Sequence, residues 1–390
     1  MPAEEEFTRF RMLCTFLGLL FYLLDIGSDF LLSVQYFRSG HVTWAVLTLV
    51  FVLVGSVCIQ IFSYEWFEDD KEIDEKDDKG LSTCHLIGIH ALQIGICTRY
   101  LHLLKKSFKA QKKQSELVDH ATDLSFKAQK KQSELIGLAT DLSMLRMFET
   151  FLESIPQLIL QTYIILEHNH RSNLQYISMA VSFLTIAWAT VDYRRCLRQS
   201  LTYLNKMPIG MPTAVYLSYK IFTITPRILS LTLFIMLSTF STVAMACIWL
   251  LGTIYAFLEE TSFCTSRALE HLYRAVVGVI LIFTFFNIKG ENTKVHMTLY
   301  YIFNLCHNLS APILLFLLKP ESERTDYFLP ILFFILVSNL MGLGFLGLYY
   351  SLLHPRGPGR KKIGDEMDGM DEVDGMAHEP RTRLERFLQI

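Results

Sequence analysis

Acidic and amide side chains recur at every fourth residue inside two apolar stretches of the chain. They are Asp25 and Asp29 in the first stretch and Glu149, Glu153, Gln157 and Gln161 in a later one. Residues four apart occupy one face of a helix. A carboxylate at membrane depth costs about 2.5–3.5 kcal/mol even on the lenient insertion scale, so this face must contact polar partners or water rather than lipid tails.

Three kinds of chemistry fit these residues. In a structural ion-pair cluster, Arg146 and Arg227 would neutralise some of the four acids, because an unpaired buried charge is strongly destabilising. In a hydrophilic track, a charged headgroup would slide along the acids while its tails stay in the bilayer. Intramembrane carboxylates also bind cations and relay protons. The residues alone leave all three open.

Two acidic motifs near the carboxyl end have the form of a protease substrate. Asp365-Glu366-Met367-Asp368-Gly369 and Asp371-Glu372-Val373-Asp374-Gly375 are both Asp-Glu-x-Asp followed by glycine, the pattern that executioner caspases cut. Gly, Asp and Glu dominate residues 364–375, so the segment cannot bury a core and offers an extended backbone. We predict cleavage after Asp374, with Asp368 as the second site.

The chain around these motifs is strongly apolar. Hydrophobic residues make up 51% and charged residues 19%. Ten apolar blocks are long enough to be membrane elements: 12–36, 42–66, 81–104, 143–166, 173–193, 213–236, 241–257, 268–287, 295–317 and 327–350. We therefore predict an all-α polytopic membrane protein.

The distribution of Lys and Arg predicts the topology. Basic residues are concentrated in three segments, which should therefore be cytosolic. These are 99–131, 194–206 and the start of the tail at 356–362. Five blocks separate the segment 194–206 from the tail, and three blocks lie between the amino terminus and the basic residues that follow the third. An odd number of crossings cannot begin and end on the same side, so some blocks cannot cross the membrane. We predict eight transmembrane helices and two re-entrant elements, 81–104 and 268–287, with both termini in the cytosol.

This topology divides the chain into six parts. The membrane parts form two halves of five blocks each, which resemble parallel repeats. The six parts are a first membrane half at 1–104, a Lys-rich cytosolic loop at 105–142, the rest of that half at 143–193, a cytosolic loop at 194–212, a second membrane half at 213–350 and a cytosolic tail at 351–390. Inside the Lys-rich loop, residues 107–124 recur as 125–142 with three differences. Such duplications cost little in stability.

Several classes of site are not expected. The eight cysteines show no metal-binding spacing, which favours reduced, packed thiols. We find no phosphate loop, HExxH or GxSxG pattern. The sequence therefore predicts no enzyme, no cofactor, no metal site and no nucleic-acid partner.

Four segments resemble the XK-related family and especially its members eight and nine. They are Thr140-Asp-Leu-Ser-Met-Leu-Arg-Met-Phe-Glu-Thr-Phe-Leu-Glu-Ser-Ile-Pro-Gln-Leu158, Leu24-Asp-Ile-Gly-Ser-Asp29, Val191-Asp-Tyr193 and Phe285-Phe-Asn-Ile-Lys-Gly290. Those members are phospholipid scramblases of the plasma membrane. The resemblance implies that caspases activate the protein by removing its tail, and that it then exposes phosphatidylserine.

The resemblance also implies roles for individual residues. Asp25, Asp29 and Glu149 match acidic positions of the family's intramembrane track, and Trp44 matches an aromatic residue near its outer end. With the polar residues found above, the expected lipid track comprises Asp25, Asp29, Trp44, Arg146, Glu149, Glu153, Gln157 and Arg227. Expected partners are membrane phospholipids including phosphatidylserine, executioner caspases and a possible immunoglobulin-type chaperone subunit.

The last ten residues form a candidate autoinhibitory segment. Leu384, Phe387 and Leu388 have the spacing of a short amphipathic helix, and Arg381, Arg383 and Arg386 supply positive charge. The segment is too short to be a stable helix alone in water, so it would become ordered by docking on the cytosolic face.

The alternatives to a scramblase are a small-cation or amino-acid transporter or channel that couples through the intramembrane carboxylates, and a non-transporting membrane scaffold.

Overall fold

The computed structural model describes residues 2–73, 83–116, 123–200, 207–208, 210–238, 240–287, 294–319 and 327–353. In these ranges the chain forms twelve α-helices and no β-strand. The helices are α1 Pro2–Arg38, α2 Val42–Ile73, α3 Thr83–Ala91, α4 Gly95–Glu116, α5 Asp123–Leu152, α6 Ser154–His168, α7 Asn173–Ser200, α8 Met211–Leu237, α9 Phe240–Leu258, α10 Arg267–Phe283, α11 Lys294–Leu318 and α12 Phe328–Leu348. A π-helical turn, Tyr349–Leu353, follows α12.

Seven segments of the described chain are long and apolar enough to cross a membrane. They are Phe10–Arg38, Val42–Asp70, Asn173–Ser200, Met211–Leu237, Phe240–Leu258, Lys294–Leu318 and Phe328–Leu353. The prediction of an all-α polytopic membrane protein is confirmed.

The apolar block 143–166 is not one continuous helix. Helix α5 ends at Leu152 and α6 begins at Ser154, and Glu153 between them has φ −121° and ψ −70°. Pro156 lies in the first turn of α6, where its ring would clash with the carbonyl of Leu152 if the helix ran straight through. Pro312, which occupies a similar place in a later block, lies inside the unbroken α11.

The two blocks predicted to be re-entrant are both outside the seven long apolar segments. The first is divided into α3 and α4 by a turn in which Gln93 has φ 62°. The nine residues of α3 rise about 14 Å, half of a bilayer core. The second is the 17-residue α10. Re-entry of either element stays a prediction.

Helix α1 packs against α2, α4 and α7 and keeps one exposed apolar face. Helix α5 occupies the centre of the first half, since residues 139–151 are all buried, and it packs against α2 and α7. Aromatic side chains fill the core beside it; Phe62 and Phe148, both fully buried, have ring centroids 5.3 Å apart. These contacts fix α1, α5, α6 and α7 around the polar residues described next.

Candidate functional site

The four predicted acids lie together in the interior of the first half. Asp25 and Asp29 of α1, Glu149 of α5 and Glu153 of the α5–α6 junction are each at most 3% exposed. We call these four residues the acidic cluster. The spacing in the sequence correctly predicted that both sets of acids are withdrawn from lipid.

Serines of α6 and α7 hold the two aspartates. Ser154 Oγ donates to Asp25 Oδ2 at 2.7 Å and Ser182 Oγ donates to Asp25 Oδ1 at 2.9 Å. Ser178 Oγ donates to Asp29 Oδ1 at 2.5 Å. Ser178 and Ser182 of α7 are four residues apart, as Asp25 and Asp29 of α1 are. Each serine can therefore face one aspartate where the two helices pack together.

The cluster continues along α6 through amides. Gln157 and Gln161 are fully buried, and Gln161 Nε2 donates to Ser178 Oγ at 2.9 Å. Gln175 Nε2 of α7 donates in turn to the backbone oxygen of Gln161 at 3.2 Å. The polar interior therefore extends from the α5–α6 break towards the far end of α6.

Only part of the cluster is neutralised by arginine. Arg146 forms an ion pair with Glu149 one turn along α5, and its guanidinium carbon lies 4.6 Å from the centre of the Tyr22 ring. Within the described ranges, Asp25, Asp29 and Glu153 form no ion pair. The ion-pair interpretation therefore accounts for Glu149 with Arg146 and leaves these three acids without an ion pair.

Arg227 lies apart from the acidic cluster. Its Nε donates to the backbone oxygen of Ile282 at 2.8 Å, and its Nη1 lies 2.6 Å from His307 Nδ1. The expectation that Arg227 neutralises the acids is wrong, because α8 presents this side chain to α11 and to the end of α10. No contact between Arg227 and the acids therefore supports its assignment to the predicted lipid track.

Several buried oxygens of the cluster lack a donor among the residues that the structure describes. They are Asp29 Oδ2, Glu149 Oε1 and both carboxylate oxygens of Glu153. Beside the cluster, Gln161 Oε1 and both side-chain polar atoms of Gln157 are also unpartnered. An ionised carboxylate is an acceptor only, and leaving it without a donor is costly. The cluster is therefore suited to water, a cation or the ammonium group of a headgroup.

A glycine lets α2 approach the helix break. A Cβ added at Gly55 would lie 2.8 Å from Glu153 Cβ, closer than two carbon atoms can approach. The serines and Gly55 were missed in the sequence because their role depends on which helices become neighbours. The matching spacing of Ser178 and Ser182 was the available signal.

Trp44 lies at the end of the bundle where α1 meets α2 and α6 meets α7. Three imidazole rings surround it: His41 is stacked at a centroid distance of 4.0 Å, with His168 at 5.2 Å and His170 at 5.4 Å. Tyr36, fully buried, contacts it edge-on at 5.6 Å. Tyr36 is about two turns beyond Asp29 on α1, so the aromatic group lies at the far end of the polar interior.

The remaining predicted site residues, which belong to the tail, lie outside the described residues. These are the cleavage sites Asp368 and Asp374 and the segment with Arg381, Arg383, Leu384, Arg386, Phe387 and Leu388.

Comparison with known proteins identifies the family. Residues 13–355 match the profile of XK-related proteins. The chain belongs to the XK-related family. XK-related protein 9 of Tetraodon nigroviridis is 43% identical over 98% of this chain and 99% of its own length. XK-related protein 8 of the same fish is 30% identical, over 95% of this chain and 91% of its own.

A third relative, XK-related protein 8 of Gasterosteus aculeatus, is 30% identical over 87% of this chain and 83% of its own length. The predicted resemblance to members eight and nine is confirmed. The matches run along nearly the whole chain, so the similarity to these relatives includes the membrane region described above.

Proposed function

We propose that this XK-related protein is a phospholipid scramblase of the plasma membrane, with the acidic cluster as the track for headgroups. Executioner caspases would activate it by cutting off the carboxyl-terminal tail, and phosphatidylserine would then reach the cell surface. The observation that carries the proposal is the set of buried carboxylates that have no counter-charge, above all Glu153 and Asp29.

The chemistry of these acids complements a headgroup. Phosphatidylserine and phosphatidylethanolamine carry ammonium groups that donate hydrogen bonds to carboxylates, and choline carries a positive charge. Each would compensate acids that have too few donors, which offsets the cost of passing through the membrane interior. Among the residues that the structure describes, Arg146 is the one cation paired with the cluster, where it would face the phosphate.

The conformation described here supports a closed resting state. All four acids are buried, and the aromatic group around Trp44 lies at the far end of the interior. A headgroup needs an opening between helices to reach the acids. Release of the tail is the trigger that the two Asp-Glu-x-Asp motifs support, and the chain has no recognisable ATPase segment that would drive lipids uphill.

The decisive experiment uses the purified protein in liposomes, intact and after caspase treatment. Fluorescent phospholipid exchange and ion flux are measured on the same vesicles. We expect lipid exchange in the cut sample alone. Asp374→Ala should slow cutting markedly, and adding Asp368→Ala should abolish both cutting and activation. Activation of the uncut double variant by caspase would contradict the tail-release mechanism.

The same vesicles separate the scramblase from its alternatives. Uncompensated intramembrane carboxylates also suit a cation pathway, so a transporter or channel remains the second candidate. Ion flux without lipid exchange would establish a transporter or channel in place of a scramblase. Neither activity in the cut protein, at normal folding, would favour a non-transporting scaffold.

A further inference from the structure

Helix α4 has two faces of different composition. The face that packs against α1, α2 and α5 is buried, and it comprises Ile96, Tyr100, Leu103 and Ser107. The opposite face is exposed and mixes apolar with basic residues, which are Leu101, Lys105, Phe108 and Lys109. At about 3.6 residues per turn, these four side chains fall within about one third of the helix circumference. Because this second face is exposed, its partner is not another part of the described bundle.

The composition of α4 places its exposed face at the membrane surface. Up to Leu104 the helix belongs to the apolar block 81–104, whereas Lys105 begins a stretch rich in Lys, Gln and Ser. In the predicted topology the helix therefore leaves the hydrocarbon core near Leu104, on the cytosolic side. From Lys105 to Lys109 an α-helix rises about 6 Å, and the headgroup layer is about 5–7 Å thick on each side of the bilayer. Lys105, Phe108 and Lys109 then lie at the level of the headgroups.

Two large apolar side chains of this face point away from the bundle. Leu101 is 60% exposed and Phe108 is 58% exposed. Leu101 precedes the membrane boundary and would contact acyl chains, but Phe108 follows it and would stand in water if the helix simply projected into the cytosol. Helices that bind at the membrane interface combine Phe or Leu with lysines, since the interface takes up the apolar groups. The exposure of Phe108 therefore favours its insertion among the headgroups.

The lysines beside Phe108 carry charge that no described carboxylate balances. Within the described ranges, neither Lys105 nor Lys109 forms an ion pair, whereas Lys106, on the side towards α5, pairs with Glu134. An ammonium group has three donors, which phosphate and carboxylate oxygens accept. Each lysine near a membrane surface strengthens the attraction to acidic lipids by about fivefold. The pair therefore favours a lipid with net negative charge over a zwitterionic one.

We propose that Lys105, Phe108 and Lys109 form a binding surface for acidic phospholipids of the cytosolic leaflet. The phenyl ring inserts among the headgroups, and the two ammonium groups bind phosphate and carboxylate oxygens. The surface lies on α4 and shares no residue with the acidic cluster, which belongs to α1, α5 and the α5–α6 junction. It therefore does not depend on whether the protein moves lipids.

The test detects the lipid at Phe108 directly. The full chain is made with the photoreactive residue p-benzoylphenylalanine in place of Phe108, inserted into nanodiscs with equal amounts of phosphatidylserine and phosphatidylcholine, and irradiated. Mass spectrometry identifies the lipid joined to the chain. We expect lipid adducts with a clear excess of phosphatidylserine. Lys105→Gln combined with Lys109→Gln should lower this excess roughly tenfold or more, since each lysine contributes about fivefold.

Lys106→Gln is the matched control, because it removes the same charge from the same turn but on the side paired with Glu134. It should change the excess far less than Lys105→Gln or Lys109→Gln alone, and size-exclusion chromatography checks that each variant is folded. Equal effects of all three changes would overturn the proposal in favour of a diffuse charge effect. Absence of lipid adducts, or adducts with a second copy of the chain instead, would also overturn it. Equal labelling of the two lipids would leave Phe108 as an ordinary contact with the bilayer and refute a surface for acidic lipids.

Discussion

Two glutamates one turn apart should respond to neutralisation with opposite changes in stability. The Glu153 carboxylate has no hydrogen-bond or ion-pair partner in the described chain, whereas that of Glu149 is paired with Arg146. Glu153→Gln removes an uncompensated charge and should recover part of the roughly 2.5–3.5 kcal/mol cost of a carboxylate at membrane depth. Glu149→Gln leaves Arg146 buried and unpaired, which costs about 3–5 kcal/mol.

Thermal unfolding of both purified variants in detergent, followed by size-exclusion chromatography, measures this contrast. We expect Glu153→Gln to melt at or above the temperature of the parent and Glu149→Gln clearly below it. Lipid exchange by the caspase-cut proteins should fall in both variants, because both remove charge from the track. Equal destabilisation by the two changes would refute the assignment of Glu153 as uncompensated.

Two further predictions concern packing and the tail. Gly55→Ala should destabilise the protein by roughly 1–3 kcal/mol because the new Cβ collides with Glu153, whereas Gly27→Ala, with open space around it, should be neutral or slightly stabilising in the same melting assay. Replacing Leu384 and Phe387 by Ser should give lipid exchange without any caspase, since burial of apolar tail surface contributes several kcal/mol at about 25 cal/mol per Å². Replacing two tail arginines by Gln should do so only partly, because exposed ion pairs contribute about 1 kcal/mol or less. An uncut Ser variant that is as silent as the parent would argue against an inhibitory tail.

The fold class and the burial of the acids could be predicted from the sequence because both depend on local patterns. Long apolar runs identify membrane helices, and a spacing of four places the acids on one face. The partner of Arg227 could not be predicted, since charge complementarity does not show which neighbour a helix face meets. The break at Glu153 was hidden because a proline inside an apolar block either kinks or ends a helix. In this chain Pro156 follows a break between two helices, whereas Pro312 lies inside one continuous helix.

The acidic cluster also bears on how the proposed scramblase is held closed. Burial of the Glu153 carboxylate and of Asp29 Oδ2 without donors raises the free energy of the conformation described here, and hydration of the same groups in an open state would lower it. The cluster therefore favours opening, and another contact must stabilise the closed state. To move a two-state equilibrium from 99:1 to 1:99 takes about 5.5 kcal/mol. A docked tail that buries three apolar side chains contributes a free energy of this order, so its removal would suffice as the trigger only because the acids already oppose closure.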